Sequence, residues 1–200
     1  MEDQITINEF GYSEMYEWAN VPDHCRFGRF VQFDDNYPNL IKLAENTKDL
    51  VGVTTINAIV TANTYDDYWY KKYRYDEYGD LYALQKTVGV GYKDYDSVNE
   101  LPYIRTKKEI VYTPILNKEF DETKKYVSRA DRLEWIRVNL LGKCIVEDFG
   151  TCTNSRYCKL YSGNDKNLYG TVVPASDNEN CLKWIILNRV SDKTIMIFYK

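Results

Sequence analysis

No part of this chain sustains the 3.6-residue apolar period of a packed helix, whereas seven short segments read as strands. Arg26 to Phe33 alternates apolar and polar residues between Pro22-Asp23 and Asp34-Asp35-Asn36. Leu50 to Ala62 is rich in β-branched residues, which suit a pleated, half-buried surface. Thr87 to Gly91, Glu109 to Leu116, Val138 to Glu147, Leu182 to Asn188 and Thr194 to Tyr199 complete the set. Residues 189–193 between the last two suit a hairpin connection. Helix signals are short. Tyr12 to Trp18 lacks Gly and Pro and is expected to form a turn or two. Tyr65 to Arg74 is a weaker candidate, and Ser128 is a candidate N-cap for a short turn running to Trp135. The expectation is a mainly β fold: one compact domain over residues 11–200, with short helices in the connections, after a leader of ten residues. No internal repeat is visible, and the polar stretches 117–125 and 177–180 read as exposed loops that separate no composition regimes.

The chain has enough apolar residues, 44% of 200, to bury an ordinary core. Its net charge of −4 supplies no field to attract nucleic acid or an anionic membrane. The small basic clusters Lys71-Lys72 and Lys107-Lys108 have acidic neighbours and read as solvated surface. Tyrosine is abundant, at 19 residues, and the run from Tyr65 to Tyr82 would make a stacking platform for single-stranded nucleic acid. Asp66, Asp67, Asp76, Glu77 and Asp80 in the same run argue against a phosphate partner. No stretch approaches the roughly 20 apolar residues of a membrane helix. The acidic, polar start Met1-Glu2-Asp3-Gln4 is unlike a secretory signal. Folding in a reducing compartment follows, and the five cysteines (25, 144, 152, 158 and 181) are expected to be free thiols. Cys152 and Cys158 are spaced too widely for a zinc knuckle, and His24 is the only histidine. The reading therefore calls for no metal and no cofactor.

Familiar catalytic patterns are missing as well. Gly89-Val90-Gly91 lacks the third glycine and the following helix of a phosphate-binding turn. There is no G-x-S-x-G elbow, and the side chains of the adjacent pair His24-Cys25 would point apart in an extended segment. Chemistry, if carried, falls to carboxylates.

One run of residues narrows this. Tyr12-Ser13-Glu14-Met15-Tyr16-Glu17-Trp18 resembles the opening motif, D-Y-A-E-M-F-E-W, of peptidase G2, the intramolecular-chaperone autoproteolytic cleavage domain found at the C-terminus of phage pre-neck appendage tail-spike proteins. The likeness continues in order through Gly28-Arg29-Phe30-Val31, Ile41-Lys42-Leu43-Ala44 and Val51-Gly52-Val53. Tyr65-Asp66-Asp67-Tyr68-Trp69 and Tyr75-Asp76-Glu77-Tyr78-Gly79 come next. Then follows Ser128-Arg129-Ala130-Asp131-Arg132-Leu133-Glu134-Trp135, similar to the family's S-R-x-x-R-x-E-W. Leu141-Gly142-Lys143, Asp148-Phe149-Gly150-Thr151-Cys152, Tyr157-Cys158-Lys159 and the closing Ile195 to Lys200 complete the series.

The resemblance implies a viral assembly domain that forms a homo-oligomer, a trimer, and then cuts itself off near its own N-terminal edge. Its setting would be the host cytoplasm during assembly, or the virion, with virion or spike proteins as partners and neither nucleic acid nor membrane. The logic is physical. Fibres built from long-range β contacts misassemble easily, and a compact trimer fixes the register of three chains beforehand. The cut would be carboxylate-catalysed peptide hydrolysis between Phe10 and Gly11, with Glu14 at the position of the family's catalytic glutamate. Here the chain departs from the family: the aspartate that follows the scissile bond is replaced by Gly11. Glu17, or Glu9, is the available substitute acid, and glycine at 11 would allow a close backbone approach. With ten residues ahead of the motif there is no spike to release, which suggests a stand-alone descendant and leaves a cleavage-inactive structural module as the alternative. Trp18, Trp69, Trp135 and Trp184 are expected in a core or an interface, and Met15, Tyr16 and Trp18 in the core.

Overall fold

The computed structural model describes residues 11–23, 26–65, 69–96 and 101–200, with the backbone alone at 101–103. Phe10, the leader, Glu9 and the pair His24-Cys25 lie outside the described residues. The fold is mainly β, as the sequence implies. Its strands are β1 (Gly11–Glu17), β2 (Phe30–Phe33), β3 (Ile41–Leu43), β4 (Leu50–Thr55), β5 (Val60–Ala62), β6 (Ala83–Asp96), β7 (Leu101–Pro114), β8 (Trp135–Glu147), β9 (Tyr157–Leu160), β10 (Val172–Ala175), β11 (Trp184–Ser191) and β12 (Thr194–Tyr199). Helix among the described residues is confined to three single 3₁₀ turns, Trp69–Lys71, Arg129–Asp131 and Lys166–Leu168.

Contacts divide the chain into two units, Met1–Tyr65 with Val127–Lys200, and Asp66–Tyr126. The first holds a ten-stranded sheet in the order β10-β9-β11-β12-β8-β4-β2-β3, with β1 paired to both β8 and β5. Strand β8 organises it. Residues 142–147 of β8 pair with β12, residues 137–139 with β4, and residues 135–142 with β1. Gly142 sits at the handover, opposite both Gly11 and Tyr199, with a φ of 109° that an L side chain would resist.

Two apolar clusters hold this unit. In the larger, Phe30 stacks on Trp184 with ring centroids 4.2 Å apart, surrounded by Val53, Val146, Ile195 and Ile197. In the smaller, Trp18, Val31, Ile41, Ile136 and Val138 meet, with Tyr16 against them. Each fully buried Val, Ile or Phe contributes about 1.5–3 kcal/mol over exposure. Trp18 and Trp184 are thus core residues. Trp135 is half-buried beneath the guanidinium of Arg129, 4.0 Å from its ring centroid, and Trp69 is half-buried edge-on to Tyr70 and Tyr126.

Several residues of the recurring blocks prove to be structural. Arg29 is buried, ion-paired with Glu147 at 2.8 Å, and donates to the carbonyls of Asn167 and Tyr169. Asp148 accepts from Cys152 N at 2.9 Å and Gly150 N at 3.2 Å, and meets the Arg189 guanidinium at 2.6 Å. Burial pushes its carboxyl up, but Arg189 and the two backbone N–H groups outweigh burial and hold it below the usual carboxylate range.

The helix expected over Tyr12 to Trp18 is a strand instead. Its residues alternate, with Ser13 and Met15 buried between more exposed Tyr12, Glu14 and Tyr16, and pairing to two neighbours outweighs a weak local helix preference. The candidate helix over Tyr65 to Arg74 shrinks to the turn at Trp69–Lys71, where Tyr70 and Lys71 have φ near +50° and cannot propagate a right-handed helix. Ser128 does stand at an N-cap, but its hydroxyl donates to Asp131 Oδ2 at 2.6 Å rather than capping a backbone N–H.

The second unit is dominated by one antiparallel ribbon, β6 with β7, paired without a bulge from Ala83↔Pro114 to Asp96↔Leu101. It also holds the loop 117–125, whose Glu119 meets Lys71 at 2.6 Å.

Candidate functional site on the first strand

Strand β1 carries the residues singled out for chemistry. It lies between β5, parallel, and β8, antiparallel. Ser13 is fully buried and its hydroxyl reaches Thr61 Oγ1 at 3.0 Å. Asn63, just beyond β5, donates to the Met15 carbonyl at 2.8 Å and accepts from Arg129. Arg129 of the S-R-x-x-R-x-E-W block therefore steadies β1 through Asn63 while stacking on Trp135. A cleft of about 270 Å³ opens beside Met15, lined also by Arg26, Thr55, Arg132, Trp135 and Arg137, and Glu14 does not border it.

Glu14 is half-buried on the face it shares with Tyr12 and Tyr16. The Tyr12 hydroxyl donates to Glu14 Oε1 at 2.5 Å. That hydrogen bond raises the Tyr12 phenol above its ordinary value, and burial followed by the charge of Glu14 does the same for Tyr16. Both phenols therefore stay protonated and able to donate near neutral pH. Glu14 is thus a carboxylate served by one phenol donor, Tyr12, an arrangement that can hold it in one place.

Glu17 is half-buried opposite Trp135. Three residues from Glu14 along a strand, it projects from the other face, so the two glutamates are not brought together.

Gly11 stands where a side chain would not fit. A Cβ there would stand 2.0 Å from Asn139 Oδ1 and 2.8 Å from the Leu141 carbonyl oxygen. Asn139, itself buried, fills the space that an aspartate side chain at 11 would need. The close approach allowed by glycine is therefore used here. Between Tyr12 and Ser13 the register shifts by one residue past Leu140, a bulge that helps to set Asn139 in this place. Sequence reading missed Asn139, Asn63 and Tyr12 as neighbours of the site. Tyr12 alone had a signal, the period-two spacing to Glu14. Among the described residues no three His, Cys, Asp or Glu side chains gather as a metal site, and no helix is long and apolar enough to cross a membrane.

The family model described as "Peptidase_G2, IMC autoproteolytic cleavage domain" matches residues 3–175. This chain belongs to that family. Two solved structures share the Peptidase_G2 fold seen here. The C-terminal fragment of bacteriophage phi29 gene product 12 superposes with a TM-score of 0.57 at 17% identity, covering 94% of this chain and 99% of the fragment. The pre-mature bacteriophage phi29 gene product 12 gives 0.58 at 17% identity, over 95% of this chain and 21% of the longer protein. No curated protein matches the sequence. The chain is thus an IMC autoproteolytic cleavage type of domain, and its β1 lies within the matched residues.

Proposed function

We propose that this Peptidase_G2 chain is an assembly domain for a viral spike or virion protein, working as a homo-oligomer, a trimer, and that Glu14 is the group that carries self-cleavage at Phe10–Gly11. The observation that supports it is the placement of Glu14 on β1, in the same strand as Gly11 and held by the Tyr12 hydroxyl at 2.5 Å. In this reading the carboxylate takes a proton from water as the water attacks the Phe10 carbonyl carbon. The C–N bond to Gly11 breaks, and the amine of Gly11 leaves protonated. Having the scissile bond in the same chain supplies proximity.

A second reading has its own support. Asn139 fills the space where the family's aspartate would stand, and Glu17 projects from the opposite face to Glu14. Both favour a module that keeps the fold and the assembly role without cutting. A fusion carrying a foreign segment ahead of Phe10 separates the two. Under the cutting reading, mass spectrometry finds a new N-terminus at Gly11, and Glu14→Gln abolishes it while Glu17→Gln does not. An intact fusion after prolonged incubation, in wild type and with Gly11→Asp/Asn139→Gly alike, leaves the module reading. A cut that persists in Glu14→Gln refutes the role of Glu14.

A further inference from the structure

The cleft beside Met15 is a basic site in an acidic protein. The chain carries a net charge of −4, yet Arg26, Arg132 and Arg137 all line this cleft against one carboxylate, Asp131. Asp131 is already engaged by the Ser128 hydroxyl at 2.6 Å. The nearby acids do not line the cleft: Glu134 stands 3.8 Å from Arg132, and Glu17 lies opposite Trp135. Strand pairing sets the floor. Arg137 of β8 lies opposite both Met15 of β1 and Thr55 of β4, so the three share one face.

The guanidiniums are anchored but not used up. One terminal nitrogen of Arg26 donates to the carbonyls of Leu133 and Trp135, at 2.5 and 3.0 Å. One terminal nitrogen of Arg137 donates to the Ile56 carbonyl at 3.0 Å. Each guanidinium has three nitrogens, so donors remain on both. The Nε–H of Arg26 is buried and meets no acceptor among the described residues. A buried charged donor without an acceptor is costly, and an anion within its reach would relieve that cost.

The rest of the lining is largely apolar: Met15, Phe27, Ile56, Leu133, Trp135 and Ile136. A ligand that satisfies this cleft therefore has an anionic end and an apolar body. Asp131 on the lining repels a second negative charge, which favours a carboxylate over a phosphate dianion. The volume of about 270 Å³ is just under the roughly 300 Å³ at which small-molecule pockets begin, and suits a body the size of one side chain.

We infer that the cleft binds a carboxylate carried on an apolar or aromatic body, with the guanidiniums of Arg26 and Arg137 taking the carboxylate. A chain end and a free acid both offer this chemistry. The proposed cut makes one such chain end, since it leaves a new carboxylate on Phe10. Gly11, on the other side of that bond, lies four residues along β1 from Met15, about 13 Å. The features of the cleft carry the inference, and only the source at Phe10 rests on the cutting reading.

The test is calorimetric titration of the full chain with four probes. They are the decapeptide of residues 1–10 with a free C-terminal carboxylate, the same decapeptide as its C-terminal amide, N-acetylphenylalanine, and inorganic phosphate. The acid peptide should bind, and the amide at least about tenfold more weakly, because only the charge of the end differs. Arg137→Gln should lose the same factor for the acid and nothing for the amide. Arg137→Lys, which keeps the charge but not the paired N–H groups, should fall between. An acid peptide at least about tenfold tighter than N-acetylphenylalanine assigns the site to chain ends, and comparable affinities assign it to free acids. Three results would overturn the inference: equal binding of acid and amide, phosphate binding more tightly than both carboxylates, or an Arg137→Gln chain that is folded by circular dichroism and binds the acid as wild type does. The comparison of acid with amide needs no variant, so it decides the matter even where Arg137→Gln does not fold. Mass spectrometry of the same sample shows whether residues 1–10 are still attached. An uncut chain that binds the acid peptide counts against the cutting reading and leaves the site standing.

Discussion

Two glycines meet the same residue of β8, and they should respond differently to the same substitution. A Cβ at Gly11 would lie 2.0 Å from the Asn139 side-chain oxygen and 2.8 Å from the Leu141 carbonyl oxygen. A Cβ at Gly52 would lie 2.2 Å from the Asn139 carbonyl oxygen, with Val138 Cγ1 at 2.9 Å. In the first case the worst obstacle is a side chain that can turn away. In the second it is the backbone of the strand that organises the sheet. Overpacking of this kind costs about 1–3 kcal/mol where neighbours yield, and more where they do not. We expect Gly11→Ala to cost about 2–3 kcal/mol and Gly52→Ala more than about 4 kcal/mol. Asn139→Ala alone should cost about 1–2 kcal/mol, because its amide donates only a long hydrogen bond, 3.5 Å, to the Lys143 carbonyl. Combined with Gly11→Ala it should recover about 1–2 kcal/mol of that variant's loss, the rest remaining because Leu141 does not move. Combined with Gly52→Ala it should recover nothing. Urea melts of the six proteins read these energies directly, and for a chain of this size each kcal/mol moves the thermal midpoint by about 2–4 °C. Equal costs for the two glycine variants, or rescue of Gly52→Ala by Asn139→Ala, would refute the packing argument. So would additivity at Gly11.

Other consequences can be checked independently. Glu14→Gln should bring the Tyr12 phenol down toward its ordinary value near 10, read by NMR titration of labelled tyrosine; an unmoved Tyr12 would mean that the two side chains do not interact in solution. Asp148→Asn should destabilise by about 1–3 kcal/mol at pH 7, discounted for the partly exposed Arg189. Because the folded carboxyl lies below its unfolded value, that stability is present above the unfolded pKa of about 4 and is lost as pH falls through the folded value, so the gap between the two proteins should close in acid melts. Burial pushes the Cys152 thiol up to about 11 and raises Cys158 as well. Of the four described cysteines, exposed Cys181 should be modified by a thiol reagent in the native protein, while Cys144, Cys152 and Cys158 should react only on unfolding, as peptide mapping would show.

The mainly β character, the strands within Leu50 to Ala62, Val138 to Glu147 and Thr194 to Tyr199, and the family itself were legible from residue patterns alone. β-branching, alternation and turn residues act locally, and a motif is a local string. Other features depend on partners far away in the chain. Strand β1 resembles a short helix until β5 and β8 take up its backbone groups. Strands β3, β9 and β10 have three or four residues each, too few to show a period. Nor did any shift in composition separate Asp66–Tyr126 as a unit, because its long ribbon is as polar as ordinary surface along either strand and becomes two distinct faces only when β6 and β7 pair. The same holds at the candidate site. The string Tyr12 to Trp18 named Glu14, but only the pairing of β1 as a strand parted Glu14 and Glu17 to opposite faces, and only its register on β8 decided that Gly11 meets Asn139. Strand pairing is a long-range choice, and a shift of one residue reverses which side chains share a face.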